Sequence, residues 1–476
     1  MYALKQRVHP TWMFTALCAG FLLGAGVSLY ITPVGLPVVL ASVLMLVMAM
    51  LKRRAWMLVL AFLAGMGMGL WRGGFELINL SVVGGLNNKN VTLNGMVSDD
   101  PIFKRGSLTF KLTNIKHEGS GLPGEVYVAT KQDIKLGMGD TVFIKGMLSM
   151  DADSLTVKMF DADIIDSAKS KDLIIQARDA FASLIKSSIT EPAASLGLGI
   201  LAGQKSELPS DLNDALKVAG LTHIVVASGF NLTILVRLAR RLFCKISRYQ
   251  SVLWSLLLIL GFITITGWSA SMTRAGLVAA LSLWAWYFGR KFHPVTLILF
   301  VAAITVLVRP AYIWGDIGWM LSFAAFAGVL ILAPLLQAYF YGQQKPSFIA
   351  QILIETMSAQ IVTAPIMLGV FGQLSIVALL SNLMTLPLVP FAMLITFLAG
   401  MMQLVIPGLN VISTVAQALL NYFVGATRWT ASFDWAQVKF QIPPLAVGIS
   451  YLVLLGICIT IQRITSYKLR QVNVVE

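Results

Sequence analysis

Cysteine and histidine are scarce in this chain, and neither is clustered. The three cysteines, Cys18, Cys244 and Cys458, stand far apart, and the first and last lie in apolar runs. That excludes a disulfide framework and a cysteine-type zinc site. The four histidines, His9, His117, His223 and His293, occur singly, so no multi-histidine metal centre is expected, and no cofactor. A P-loop for ATP is missing. Charged residues make up only 12% of the 476 residues. The first apolar run, 12–31, lacks a small-residue cleavage site and is expected to stay in the membrane.

What the chain has instead is apolar sequence. Hydrophobic residues make up 57% of it, and the mean hydropathy is +0.78. Those values place it in the membrane class. The net charge of +14 does not discriminate, because membrane proteins gather Lys and Arg in cytoplasmic loops.

Three runs, 12–31, 34–50 and 55–71, each approach the ~20 residues that a bilayer needs. Basic residues before the first and at 52–54 put the N-terminus in the cytoplasm and residue 72 onward outside. Gly20, Gly24, Gly65, Gly67 and Gly69 suit close helix packing. Five alternating stretches follow, 91–97, 108–116, 125–130, 141–148 and 155–164, separated by Gly-, Pro- and Asp-rich turns. Period-two alternation with such breaks predicts a small antiparallel barrel, and five strands fit an OB-fold. Residues 90–166 carry eight Lys/Arg against eleven Asp/Glu, a net −3, which is not a strongly basic nucleic-acid footprint. Phe103, Phe110, Tyr127, Phe143 and Phe160 offer stacking faces or barrel core.

Residues 171–190 have a helical apolar period and read as an interfacial amphipathic helix. Next, 219–231 is an apolar stretch broken by Ser228 and Gly229, with His223 and Asn231 on either side. Polar groups at such a break need protein or a water-filled cavity to satisfy them, and broken helices recur at transported ligands; a glycine kink in a packed helix is the plainer reading. Further runs continue to residue 461, and 352–406 does not divide cleanly because of Pro365, Pro387 and Pro390. The expected fold is a polytopic α-helical membrane protein of roughly ten to thirteen spans, some discontinuous. An inserted all-β OB-like domain sits on its outer face. The segments are 1–73 (three transmembrane helices), 86–167 (β domain), 168–192 (interfacial helix) and 193–470 (polytopic channel domain).

One ordered set of motifs carries a resemblance. Ala219-Gly-Leu-Thr-His223 leads into Ser228-Gly-Phe-Asn231, then Gly267-Trp-Ser-Ala-Ser-Met-Thr-Arg274. Asp316-Ile-Gly-Trp-Met-Leu-Ser-Phe323, Phe371-Gly-Gln-Leu-Ser375 and Asn382-Leu-Met-Thr-Leu-Pro387 follow. Behind three helices and a barrel, this order resembles the ComEC family of competence membrane proteins. The resemblance implies a plasma-membrane channel that carries incoming single-stranded DNA into the cytoplasm during natural transformation. It implies as partners single-stranded DNA, the lipid bilayer, a separate nuclease, an outer DNA receptor and a cytoplasmic motor or single-strand-binding protein. The sequence departs from the family in three ways. It contains no metallo-β-lactamase-like metal motif, so no nuclease or other enzyme activity carries over. Asn231 stands where the family has His, and Arg309 precedes a proline where an acidic residue is common.

Ser228, Gly229, Asn231, Arg274 and Asn382 are the pore or substrate-path candidates. Small neutral hydrogen-bonders suit weak, multi-site contact with a polyanion, and they suit interhelical polar contacts as well. Arg274 is either a phosphate contact or a snorkelling or ion-paired arginine. His223, Asp316 and Glu355 are structural or polar-network candidates, with Asp316 expected to cap a helix. Two rival functions remain. A small-solute or ion transporter would use the same broken helix. An intramembrane enzyme has no paired nucleophile and base to support it.

Overall fold

The computed structural model describes residues 9–467 and 469, apart from 53, 105, 133, 152–155, 205–207, 226–228, 244–246, 268–269 and 343. The chain divides into two compact units, one of residues 1–170 with 292–323 and one of 171–291 with 324–476. Among the described residues, seven helices are long and apolar enough to cross a membrane, and three shorter apolar helices accompany them.

The first unit opens with helices Pro10–Val27, Leu36–Lys52 and Met57–Gly84. The third outruns the 55–71 expected from hydropathy. Residues 72–84 stay helical because Phe75, Leu77, Ile78 and Leu80 keep a helical apolar period, and Arg72 and Glu76 form an i,i+4 pair at 3.0 Å. The first and third helices pack backbone to backbone. A Cβ on Gly20 or Gly24 would land on the carbonyl oxygen of Phe62 or Met66, and one on Gly65 or Gly69 on that of Leu17 or Phe21. Small residues four apart allow this approach.

The barrel follows. Its strands are β1 Asn90–Val97, β2 Ile102–Lys104, β3 Ser107–His117, β4 Ser120–Gly121, β5 Val126–Thr130, β6 Thr141–Met150 and β7 Val157–Ala168. Five of them close in the order β1–β6–β7–β5–β3 and back to β1. Only β5 and β7 run parallel. This is the small five-stranded barrel that the alternation predicts, with β2 and β4 added on β3. In β6, Val142, Ile144 and Leu148 point inward and are fully buried, whereas Phe143 and Met147 point out.

Helix Pro294–Val308 belongs to the same unit and packs on the first helix, where Thr15 and Thr296 hydroxyls meet at 2.7 Å. Its C-terminal carbonyls are capped by one guanidinium: Arg72 Nε donates to Leu307 O at 2.8 Å and Nη2 to Val308 O at 2.9 Å. A cation at a helix C-terminus also complements the helix dipole. The next residue, Arg309, pairs with Glu125 at the start of β5. That salt bridge links the barrel to the helices of its own unit, and Arg309 also lies 5.4 Å from the Tyr312 ring. Burial alone would lower the Arg309 pKa, but Glu125 more than offsets it and the net shift is upward. We expect Arg309→Glu alone to lower the thermal midpoint of the purified protein, and Glu125→Arg combined with it to restore most of the loss. A double mutant no better than the single one would show that the pair contributes nothing.

The second unit begins with helix Leu173–Ser188, capped by Asp172, whose carboxylate accepts from Ile174 N at 2.9 Å. The C-terminal half of its apolar face is covered by protein: a Cβ on Gly400 would lie 2.5 Å from the Phe181 ring and 3.1 Å from Ile185, whereas Leu173 and Ile174 are exposed. Arg178 is buried and its guanidinium meets Asp179 at 3.1 Å. Helices Ala193–Ala202, Ser210–Val218, Thr222–Val225, Gly229–Phe243, Arg248–Thr266 and Ala270–Tyr287 follow. The region 352–406, undivided in the sequence, becomes two spans, Phe348–Phe371 and Ala378–Val405. Each tolerates its proline by a local change of pitch. A π-helical turn, Met367–Phe371, follows Pro365, and a 3-10 turn, Leu386–Leu388, contains Pro387. Between the two spans, Gln373–Ser375 pairs antiparallel with Gln437–Lys439. Helices Val411–Ala431 and Pro444–Thr465 complete the unit.

Candidate functional site

On the Gly229–Phe243 helix, Gly229 and Asn231 meet different neighbours. Residues two apart on a helix do not share a face. Gly229 abuts the Ala270–Tyr287 helix: a Cβ there would lie 3.0 Å from Ala275 Cβ and 3.6 Å from Arg274 Nη2. Eleven residues on, the Arg240 guanidinium lies 4.7 Å from the Trp286 ring. Both contacts pair residues with nearly the same separation in number, so the two helices run parallel. Gly229 therefore sits beside the Arg274 guanidinium. Arg274 is 9% exposed, and its guanidinium stacks 5.2 Å from the Phe326 ring.

Asn231 turns the other way. Its Nδ2 donates to Ile200 O at 2.9 Å, at the end of the Ala193–Ala202 helix. The residue is fully buried, and among the described residues Oδ1 has no hydrogen-bond partner. The donor expected from the sequence to hold a phosphate is thus committed to a backbone carbonyl.

The turn that carries His223 packs against the start of the span that carries Asn382. His223 Nδ1 donates to Gly220 O at 3.0 Å. Gly220 has φ +72°, and a Cβ on it would lie 2.6 Å from Ala378 Cβ and 3.2 Å from Ser375 Oγ. Both a left-handed backbone and close contact therefore require glycine there. Ser375 Oγ donates to Val218 O at 2.7 Å, which ties the turn to the start of the Ala378–Val405 span. Asn382 lies one turn further along that span, buried, with Oδ1 unpartnered.

The remaining candidates lie elsewhere. Asp316 belongs to the other unit, where Oδ1 accepts from Trp319 N at 2.8 Å across the start of the Ile317–Ala327 helix. Glu355 Oε1 accepts from Gln351 Nε2 at 2.8 Å on its own helix. Ser228 lies outside the described residues. So the structure joins Gly229 to Arg274, and His223 to the Asn382 span, and puts Asn231 on a separate face. Sequence reading missed Ile200 and Phe326 as neighbours, and neither carries a signal of its own, since both are apolar; Ser375 closes one of the motifs, but nothing in it announces Val218 as its partner.

Fold and site together define a polytopic membrane protein with an inserted β-barrel and a buried arginine among its helices. The chain belongs to the competence protein (ComEC) family, whose model, described as competence protein, matches residues 200–464. It is 22% identical over 233 residues to ComE operon protein 3 of Bacillus subtilis (strain 168), covering 48% of this chain and 29% of that one. The chain thus spans well under a third of this relative's length in the match. No solved structure matches significantly.

Proposed function

We propose that the chain passes single-stranded DNA across the plasma membrane during natural transformation, with the N-terminus in the cytoplasm and the barrel outside. Family membership supports the process. The observation that carries the molecular reading is the pairing of Gly229 with Arg274. The Arg274 guanidinium beside Gly229 offers bidentate, charge-assisted donors suited to a phosphodiester. Arginine is costly in a membrane domain, so its burial among helices points to a polyanionic ligand or a fixed partner. Asn382 and the serine at 228 supply further neutral contacts in this reading. Weak, repeated contacts let a strand move on.

The chain acts without enzymatic activity or cofactor in this reading. Cytoplasmic proteins pull the strand, a separate nuclease removes its complement and an outer receptor delivers the DNA. The test is equilibrium binding of a fluorescent single-stranded 20-mer and its duplex to the purified full chain across a salt series. We expect the single strand to bind more tightly, with log K falling linearly with log salt. Arg274→Ala should reduce that slope by about one. Equal, salt-insensitive binding of both forms, or none, would refute the reading and favour a small-solute or ion transporter.

A further inference from the structure

The Ala193–Ala202 helix is only 10 residues long, and all but one of them are buried. It is too short to cross a bilayer, and it ends inside the unit at Gly203, φ 72°. Helix C-termini carry partial negative charge. Several oxygens gather around this one. The carbonyl oxygens of Val225 and Gln204 lie 3.3 and 3.4 Å from where a Cβ on Gly199 would stand. On the next residue, Ile200 O accepts from Asn231 Nδ2 at 2.9 Å. That bond fixes the orientation of the amide, because only the nitrogen can donate to a carbonyl. Oδ1 is therefore the remaining end, a fully buried acceptor without a partner among the described residues. A lone buried acceptor is unfavourable unless something donates to it or coordinates it.

We propose that Asn231 Oδ1 and the carbonyls at the C-terminal end of the Ala193–Ala202 helix form a binding site for a monovalent cation, sodium or potassium. The chemistry of the set selects that class. Its oxygens are neutral, whereas calcium and magnesium sites depend on carboxylates. Among the described residues, no group of three His, Cys, Asp or Glu side chains could hold a metal. Interrupted membrane helices place alkali cations at such C-terminal ends and unwound carbonyls. Arg274 adjoins the opposite face of the Gly229–Phe243 helix, the face that bears Gly229. The site does not depend on DNA being the substrate, and it gives the membrane domain a means of sensing a cation gradient.

Thermal unfolding of the purified full chain, titrated with NaCl or KCl against choline chloride at constant ionic strength, tests this. The midpoint should rise saturably in one of the alkali chlorides, by about 3 °C or more at a hundred times the dissociation constant. In Asn231→Leu the cation response should vanish, while the midpoint in choline chloride stays equal or rises, because an unpartnered acceptor has been removed. Asn231→Asp keeps the acceptor and adds charge, so it should respond at lower cation concentration if the leucine variant does not fold. Identical wild-type midpoints in all three chlorides would overturn the site and leave Oδ1 to a buried water. So would an undiminished response in Asn231→Leu.

Discussion

Arg274→Ala is expected to lower internalisation of labelled DNA by a transformable host roughly tenfold or more, with the protein present at wild-type level. The guanidinium sits beside Gly229 of a parallel helix, buried among helices. Alanine removes its bidentate donors. Lysine keeps the charge but not the planar fork, so Arg274→Lys should recover only part of the activity. A purely structural arginine predicts a different pattern. Removing it would lower protein level and thermal midpoint together, and uptake per molecule would hold. Uptake normalised to protein, measured alongside the midpoint, separates the two.

The second large effect concerns the N-terminal helices. Gly65→Val and Gly69→Val each place a side chain on a backbone carbonyl of the Pro10–Val27 helix. A main-chain oxygen cannot rotate away, so the helices must separate along the whole contact. Overpacking of this kind costs about 1–3 kcal/mol or more, and both variants should accumulate poorly and unfold at lower temperature. Gly261 and Gly456 are the controls, since a Cβ on either meets nothing within 4 Å. Gly261→Ala and Gly456→Ala should be neutral or mildly stabilising. Wild-type midpoints for Gly65→Val and Gly69→Val would show that the helix pair is not held by close contact.

Local pattern in the sequence was enough to place most elements. The five expected stretches fall on β1, β3, β5, β6 and β7 within a few residues, because alternation and turn residues are local signals. The same holds for the first three helices, except that hydropathy stopped at Arg72, where a charged pair interrupts an unbroken helix. The sequence did not reveal partners distant in the chain. Arg309, read only as an odd residue before a proline, finds Glu125 at a separation of 184 residues. Asn231, legible as a polar break, finds a backbone carbonyl 31 residues earlier, and nothing in periodicity announces which amide atom that contact consumes. Sequence identified the residues capable of the chemistry, but the direction of each side chain follows from packing.

The central claim is that this chain carries DNA inward. Its most direct test is DNase-protected uptake of labelled DNA by a transformable host in which the gene is deleted and then restored. We predict that protected label is lost on deletion, returns with the wild-type gene, and stays low with Arg274→Ala. Unchanged protected uptake after deletion would contradict the claim.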